Sequence, residues 1–293
     1  MKRYVLLTLK VLLITLLIFS AARLASLGAG LLRDRQRFEE MRSEAEQNFV
    51  ESGMQPDTGD DANTAGTASQ PDVTEDPSEK DTVSQEKKDE IPVDRNEQSL
   101  VNRNAARFSS FTERNPDFAG WLLIEGTKID YPVMYSPKEP DFYLTHDFDR
   151  NGSSSGVPYI GKTCSLYCDN IILYAHNMKN GTMFAGLLKY GEESYYKEHP
   201  VIRFDTLMED GTYDIISVFR ERVHYQDEVD VFRYYNFCGD LSRTEFEEYI
   251  SQIKALSLYD TGKTAVYGQK LLTLSTCSYH TENGRFVVVA VKR

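Results

Sequence analysis

Eight short runs rich in β-branched and aromatic residues, at 121–124, 129–134, 156–160, 170–175, 201–204, 213–220, 269–275 and 285–291, leave few folds open to the C-terminal two-thirds of this chain. Most are too short to be stable helices, and Gly, Pro, Asn and Asp cluster between them. Strands of this length and spacing predict a closed or nearly closed β-barrel. Two helices interrupt the series, at 183–190 and 242–256. In the second, Phe246, Tyr249, Ile250 and Ile253 recur at helical spacing and mark a packing stripe. A helix over 96–112 and a turn at Asn115-Pro116-Asp117 open the folded unit. With 18 Tyr and 15 Phe among 293 residues, the chain has ample bulky apolar surface for one core.

The residues before position 96 are of a different kind. Residues 4–22 are apolar except for Lys10 and a few hydroxyls. Nineteen helical residues at about 1.5 Å each span roughly 30 Å, the thickness of a bilayer core. Lys10 lies toward one end, where its ammonium can reach the interface. A cleaved signal peptide is the rival reading, and the uncleaved anchor is preferred because no A-x-A site closes the run. Basic residues flank it on both sides, so charge alone does not orient it. Residues 31–50 read as a charged helical stalk. Residues 51–95 are rich in Asp, Glu, Ser, Thr, Gly and Pro, with no aromatic residue before Phe108, and read as a solvated spacer. The organisation expected is thus an anchor at 1–30, stalk and acidic linker at 31–95, and a catalytic unit at 96–293. Of the net charge of −12, residues 51–98 supply −10, with fourteen Asp/Glu against four Lys/Arg. The remainder is nearly neutral, which argues against nucleic-acid binding. Four cysteines are too few for a disulfide framework.

Chemistry concentrates at three of the polar positions. Cys277 ends the apolar run 271–277, His176 ends the apolar run 170–176, and Arg285 opens the last strand eight residues beyond Cys277. A hairpin between the last two strands would return the guanidinium toward the sulfur. A thiol of ordinary pKa, about 8.5, is a few per cent thiolate at pH 7 and needs a base or a cation beside it. His176 can take the thiol proton and return it to a leaving amine. Arg285 can face a tetrahedral oxyanion or hold a substrate carbonyl. The plain alternative is a buried inert thiol, a structural imidazole and a surface cation. His280 is a rival base by its nearness to Cys277. Cys164 and Cys168 are separated by three residues, the wrong interval for a CxxC zinc or redox motif. A local disulfide, a metal site and two free thiols are all open for them, with free thiols preferred, and Cys238 reads as a packed residue.

The segment Thr273-Leu274-Ser275-Thr276-Cys277, followed by Gly284-Arg285-Phe286-Val287-Val288-Val289-Ala290, resembles the catalytic signature of class B sortases. Further matching motifs follow in family order: Asn115-Pro116-Asp117 with Gly120-Trp121-Leu122, Gly126-Thr127-Lys128-Ile129-Asp130-Tyr131-Pro132-Val133, Tyr174-Ala175-His176-Asn177-Met178, Asn180-Gly181-Thr182-Met183-Phe184 and Ser257-Leu258-Tyr259-Asp260-Thr261. The resemblance covers residues 96–293. It implies a mainly β fold, an eight-stranded sortase-type barrel with an N-terminal helix and a helix inserted before the strand that leads to the Cys. It implies Cys277 as nucleophile, His176 as general acid/base and Arg285 at the oxyanion, with Ser275, Thr276 and Asn177 lining the substrate site. The reaction implied cleaves a Thr-Gly or Thr-Asn type bond in a C-terminal sorting signal through a thioester. An amine of peptidoglycan precursor or of a pilin then resolves the thioester, without metal or cofactor. The partners implied are surface proteins bearing that signal, and the location implied is a single-pass membrane protein with its catalytic unit outside. An extracellular cysteine peptidase that resolves the thioester with water, or a non-catalytic anchored scaffold, are the alternatives. Some class B members carry an acidic residue just after the Cys. Here Ser278 and Tyr279 stand there, so no third catalytic acid is assigned, and Glu282 is only a loop neighbour.

Overall fold

The structure, a computed structural model, describes residues 2–51 and 103–293. The expected spacer, apart from its first residue, and positions 96–102 of the expected leading helix lie outside the described residues.

Eight strands close into a barrel: β1 (Phe118–Leu123), β2 (Asp130–Met134), β3 (Tyr159–Ile160), β4 (Asn170–Tyr174), β5 (Val201–Thr206), β6 (Thr212–Arg222), β7 (Leu271–Cys277) and β8 (Gly284–Lys292). Around the barrel they run β1-β2-β3-β4-β7-β8-β6-β5. Every expected run becomes a strand, and closure leaves no free sheet edge. Most neighbours are antiparallel, but β2 pairs with β3 in parallel, and so does β4 with β7, with Asn170 opposite Leu271 and Tyr174 opposite Ser275. That pairing brings two strand ends, 101 residues apart in sequence at Tyr174 and Ser275, to the same rim.

β8 is apolar without alternation because both of its faces are covered. Phe286, Val288 and Ala290 join the interior core, whereas Val287, Val289 and Val291 pack outward with the helix described next. That helix, Arg243–Leu256, begins where expected. The Ser242 hydroxyl accepts from the Glu245 amide, and the Glu245 carboxylate accepts from the Ser242 amide, which satisfies two otherwise unpaired helix-start donors. Phe246, Tyr249, Ile250 and Ile253 are all buried against the outer faces of β6, β7 and β8. Each such burial stabilises the fold by about 1.5–3 kcal/mol. The expected helix at 183–190 is instead a 3-10 turn, Phe184–Gly191, entered through Met183 at φ 55°. A one-and-a-half-turn helix at Glu193–Glu198 follows it and was too short to leave a periodic signal.

Residues 103–107 and Ser109–Arg114 are helical, and Phe108 and Phe111 between and within them are fully buried. Phe111 meets Phe118, Trp121 and Phe148 at centroid distances of 5.5, 5.3 and 6.0 Å, an aromatic plug for one side of the barrel.

The N-terminal helix, Lys2–Glu51, is continuous over 50 residues, about 75 Å. Leu12, Leu13, Ile14, Leu16, Leu17, Ile18 and Phe19 are exposed along a stretch long and apolar enough to cross a membrane. The other end departs from expectation. Phe38, Met41 and Ala45 are buried in the barrel's core cluster, so the expected stalk at 31–50 is in large part packed on the folded unit. Arg42 Nε lies 2.6 Å from the Asp130 carboxylate, Arg114 pairs with Glu44 at 3.1 Å, Arg37 pairs with Asp147, and Asn48 Nδ2 donates to the Arg107 carbonyl at 3.0 Å. Arg37, Arg42 and Glu44, which in sequence suggested a charged stalk, are docking contacts.

Asp214 on β6 closes the C-terminus onto the barrel, with Lys263 Nζ at 2.7 Å and Arg293 Nη2 at 3.0 Å. Partial burial pushes its carboxyl up, but the hydrogen bonds from Arg293 and Lys263 outweigh this, and its pKa lies below the ordinary value. A depressed folded-state pKa gives stability that is present above the unfolded value, about 3.9, and is lost as pH falls through the folded one. Asp214→Asn is therefore expected to cost about 1–2 kcal/mol in urea unfolding at pH 7. The gap to the unaltered chain should narrow as pH falls below the unfolded value of about 3.9; a gap that stays constant through that fall would assign the loss to packing instead.

Candidate active site

The parallel register of β4 and β7 decides the site. Tyr174 stands opposite Ser275, the Ala175 amide donates to the Ser275 carbonyl at 3.4 Å, and the Thr276 hydroxyl donates to the Ala175 carbonyl at 2.8 Å. His176 and Cys277 are each two residues beyond that pair, so they leave neighbouring strands at the same rim. On the other side of β7, Cys277 is the direct cross-strand partner of Arg285. Directly opposed residues of an antiparallel pair present their side chains on one face. For Cys277 and Arg285 this is the outer face, since Val287, Val289 and Val291 on the same side of β8 pack outward.

All three groups line one open groove of about 730 Å³. Each is partly exposed, and Cys277 is a free thiol. His176 Nε2 donates to the Leu144 carbonyl at 2.8 Å. A carbonyl can only accept, so that nitrogen carries a proton and Nδ1 is left for exchange. Arg285 Nη1 donates to the carbonyls of Asn283 and Gly284 at 3.3 and 3.0 Å, which parks the guanidinium on its own hairpin. The hairpin depends on Gly284, where a Cβ would run into the Ser278 carbonyl that faces it.

Tyr159, Tyr174, Tyr234, Tyr235 and Asp141 complete the walls, and none of them was singled out from sequence. Tyr174 alone carried a signal, two residues before His176 on the same strand. Burial pushes the phenols of Tyr159, Tyr174 and Tyr234 well above the usual range, aided at Tyr159 by the Asp141 carboxylate. They are neutral walls at physiological pH.

Ser275 and Thr276 lie at the groove wall, but they are buried and their hydroxyls are already engaged: Ser275 pairs with the Tyr234 hydroxyl at 2.8 Å and Thr276 donates to the Ala175 carbonyl at 2.8 Å. Asn177 is outside the groove lining and donates from Nδ2 to the Cys277 carbonyl at 3.0 Å, which ties the histidine loop to the cysteine strand. His280 bonds to the Ser278 hydroxyl at 2.9 Å and is absent from the lining of the groove.

The remaining cysteines differ from expectation. Cys164 forms a disulfide with Cys238, across 74 residues and a Cα–Cα distance of 5.5 Å, so it is neither a free thiol nor a metal ligand, and Cys238 is not merely packed. Cys168 is a buried free thiol whose Sγ contacts the Ser165 and Asn170 carbonyls. The pairing was hidden because the two sulfurs come from the β3–β4 loop and the β6–helix loop, which meet only in the folded barrel.

Comparison with known proteins places this arrangement. The profile of the Sortase domain matches residues 122–293. A curated relative, Sortase B of Listeria monocytogenes, is 31% identical over 178 residues, covering 59% of this chain and 69% of its own. Among solved structures, a Staphylococcus aureus sortase B–substrate complex superposes with TM-score 0.64 at 19% identity, covering 90% of this chain and 98% of the other, a likeness of fold. Clostridium perfringens sortase B superposes with TM-score 0.54 at 29% identity, covering 63% and 98%. A closed eight-stranded barrel, the family profile over more than half its length and class B relatives in both comparisons lead to one assignment: this chain belongs to the sortase family, in class B.

Proposed function

We propose that the protein is a membrane-anchored cysteine transpeptidase that cleaves a C-terminal sorting signal at a Thr-Gly or Thr-Asn type bond and joins the freed acyl group to an amine. The observation that carries this reading is the three-strand juxtaposition of Cys277, His176 and Arg285 around one groove. Cys277 loses its proton to His176 and the sulfur attacks the threonine carbonyl. Arg285 swings from its hairpin carbonyls to face the oxyanion. The intermediate collapses with cleavage of the C–N bond, His176 protonates the departing amine, and a thioester on Cys277 is left. An incoming amine, from peptidoglycan precursor or a pilin, attacks the thioester, gives its proton to His176 and releases the thiol.

The apolar half of the N-terminal helix would cross the cell membrane and hold the barrel on the outer side, where surface proteins bearing the signal arrive. Residues 96–293 together with the docked end of that helix would form the catalytic unit, and residues 51–95 the acidic linker between them. Ser275, Thr276 and Asn177 would shape the substrate site from behind, through the hydrogen bonds described above.

The test is product analysis by mass spectrometry of a panel of sorting-signal peptides incubated with the full chain, with and without triglycine. The expected result is a peptide–triglycine adduct that grows at the expense of the hydrolysed product as triglycine is raised. Hydrolysed product alone at every triglycine concentration would make the protein a peptidase and overturn transfer.

A further inference from the structure

The loop that carries His176 is held from behind. The Phe184 amide donates to the His176 carbonyl at 3.0 Å, and Asn177 and Met183 form an isolated antiparallel bridge, so the loop closes on itself at Met183. Met183 sits at φ 55°, ψ −133°, a region that a residue with a side chain adopts only when its surroundings impose it. The side chain is 1% exposed, and its amide donates to the Tyr131 hydroxyl at 3.1 Å. Tyr131 lies on β2, and its ring packs edge-on against Phe38 of the N-terminal helix at 5.3 Å. The neighbouring Asp130 takes the Arg42 ion pair of that helix at 2.6 Å. Asn180 and Thr182 at the loop's tip face Arg35, Phe38 and Arg42 across a crevice of about 150 Å³. A chain of contacts thus runs from the anchor helix through one buried phenol to the backbone of the histidine loop, and from Asn177 on to the Cys277 carbonyl.

We propose that Tyr131 is a positioning residue of the active site, fixing the His176 loop through the Met183 amide, and that the N-terminal helix, packed on its ring through Phe38, completes that support. The proposal rests on the reading of His176 as acid/base. It assigns the helix a part in turnover beyond anchoring. Without the hydroxyl the Met183 amide loses its acceptor, the loop relaxes from its imposed conformation, and the imidazole leaves the attack geometry for part of the time.

The experiment compares the full chain with its Tyr131→Phe, Phe38→Ala and His176→Ala variants. It reads kcat and KM on a sorting-signal peptide well below each variant's Tm, together with deuterium uptake by the 176–184 segment. Tyr131→Phe is expected to lower kcat about 10-fold with KM within about twofold, and to raise deuterium uptake in that segment. Phe38→Ala should lower kcat about threefold to tenfold in the same way. A kcat for Tyr131→Phe within twofold of the unaltered chain, a change in KM alone, or unchanged uptake would each overturn the positioning role. If His176→Ala turned over at the unaltered rate, the acid/base assignment would fall first and this proposal with it, a result separate from a failure of Tyr131→Phe alone.

Discussion

Cys277→Ala is expected to abolish turnover, by about 10⁴-fold or more, and to remove the acyl-enzyme mass seen when the unaltered chain meets a sorting-signal peptide without an acceptor. The sulfur is the one enzyme atom in the scheme that bonds to the substrate's carbon, so no neighbouring group can take over its step. The fold should survive. Cys277 is only partly buried, and what fixes its place is backbone: the pairing with Arg285 across the β7–β8 hairpin and the Asn177 hydrogen bond to its carbonyl. An unchanged Tm together with lost activity separates chemistry from unfolding. Iodoacetamide supplies the companion measurement. Cys164 and Cys238 are bonded to each other, and burial pushes the Cys168 thiol up, so without reductant alkylation should map to Cys277. Activity retained by Cys277→Ala, or alkylation confined to Cys168, would leave the protein as an anchored scaffold with an incidental thiol.

Much of this architecture was legible in the sequence because β-branched runs between turn residues and a 3.6-residue period report local geometry directly. The strand at 285–291 came through as an unbroken β-branched run covered on both faces, and Phe246, Tyr249, Ile250 and Ile253 came through by their helical spacing. What stayed hidden depends on where distant segments meet. Phe38, Met41 and Ala45 recur at helical spacing, yet Glu39, Arg42 and Glu44 between them suggested a solvated rod, and Arg42 and Glu44 find Asp130 and Arg114 only once the barrel exists. The same holds for the Cys164–Cys238 bond and for the groove's phenols. Tyr159, Tyr234 and Tyr235 come from two loops or strand edges with no motif in common. The three candidate groups were legible because each lies at or just beyond a strand end, where a barrel of this kind exposes polar side chains to a cleft. Ser275 and Thr276 show the limit of that logic. They flank the thiol in sequence, but the alternation of β7 turns one toward Tyr234 and the other toward Ala175.

Arg285→Lys is expected to lower kcat by about 10²–10³-fold while the charge is kept. The guanidinium and the thiol are direct cross-strand partners, so an oxyanion formed on the substrate carbonyl beside Cys277 falls within the arginine's sweep. Glu221, opposite Arg285 on β6, is the carboxylate placed to compete for it. It is occupied elsewhere, accepting from the Arg222 amide at 2.9 Å and lying 3.1 Å from His224 Nε2. Among the described residues Arg285 makes no ion pair, and its present partners are two backbone carbonyls of its own hairpin, a cheap set of bonds to exchange for a charged oxygen. A lysine at 285 would bring one ammonium on a flexible stem, with no second donor fixed in the plane of the first. Its charge would still favour anion formation, but without paired planar donors it would hold the oxyanion less firmly. The loss should therefore fall on kcat and kcat/KM together, since the contact exists only once the oxyanion forms. A near-normal kcat for the lysine variant would reduce Arg285 to a source of positive field. An equal loss of activity in Glu221→Gln would instead place the oxyanion's support in the β6 network behind it.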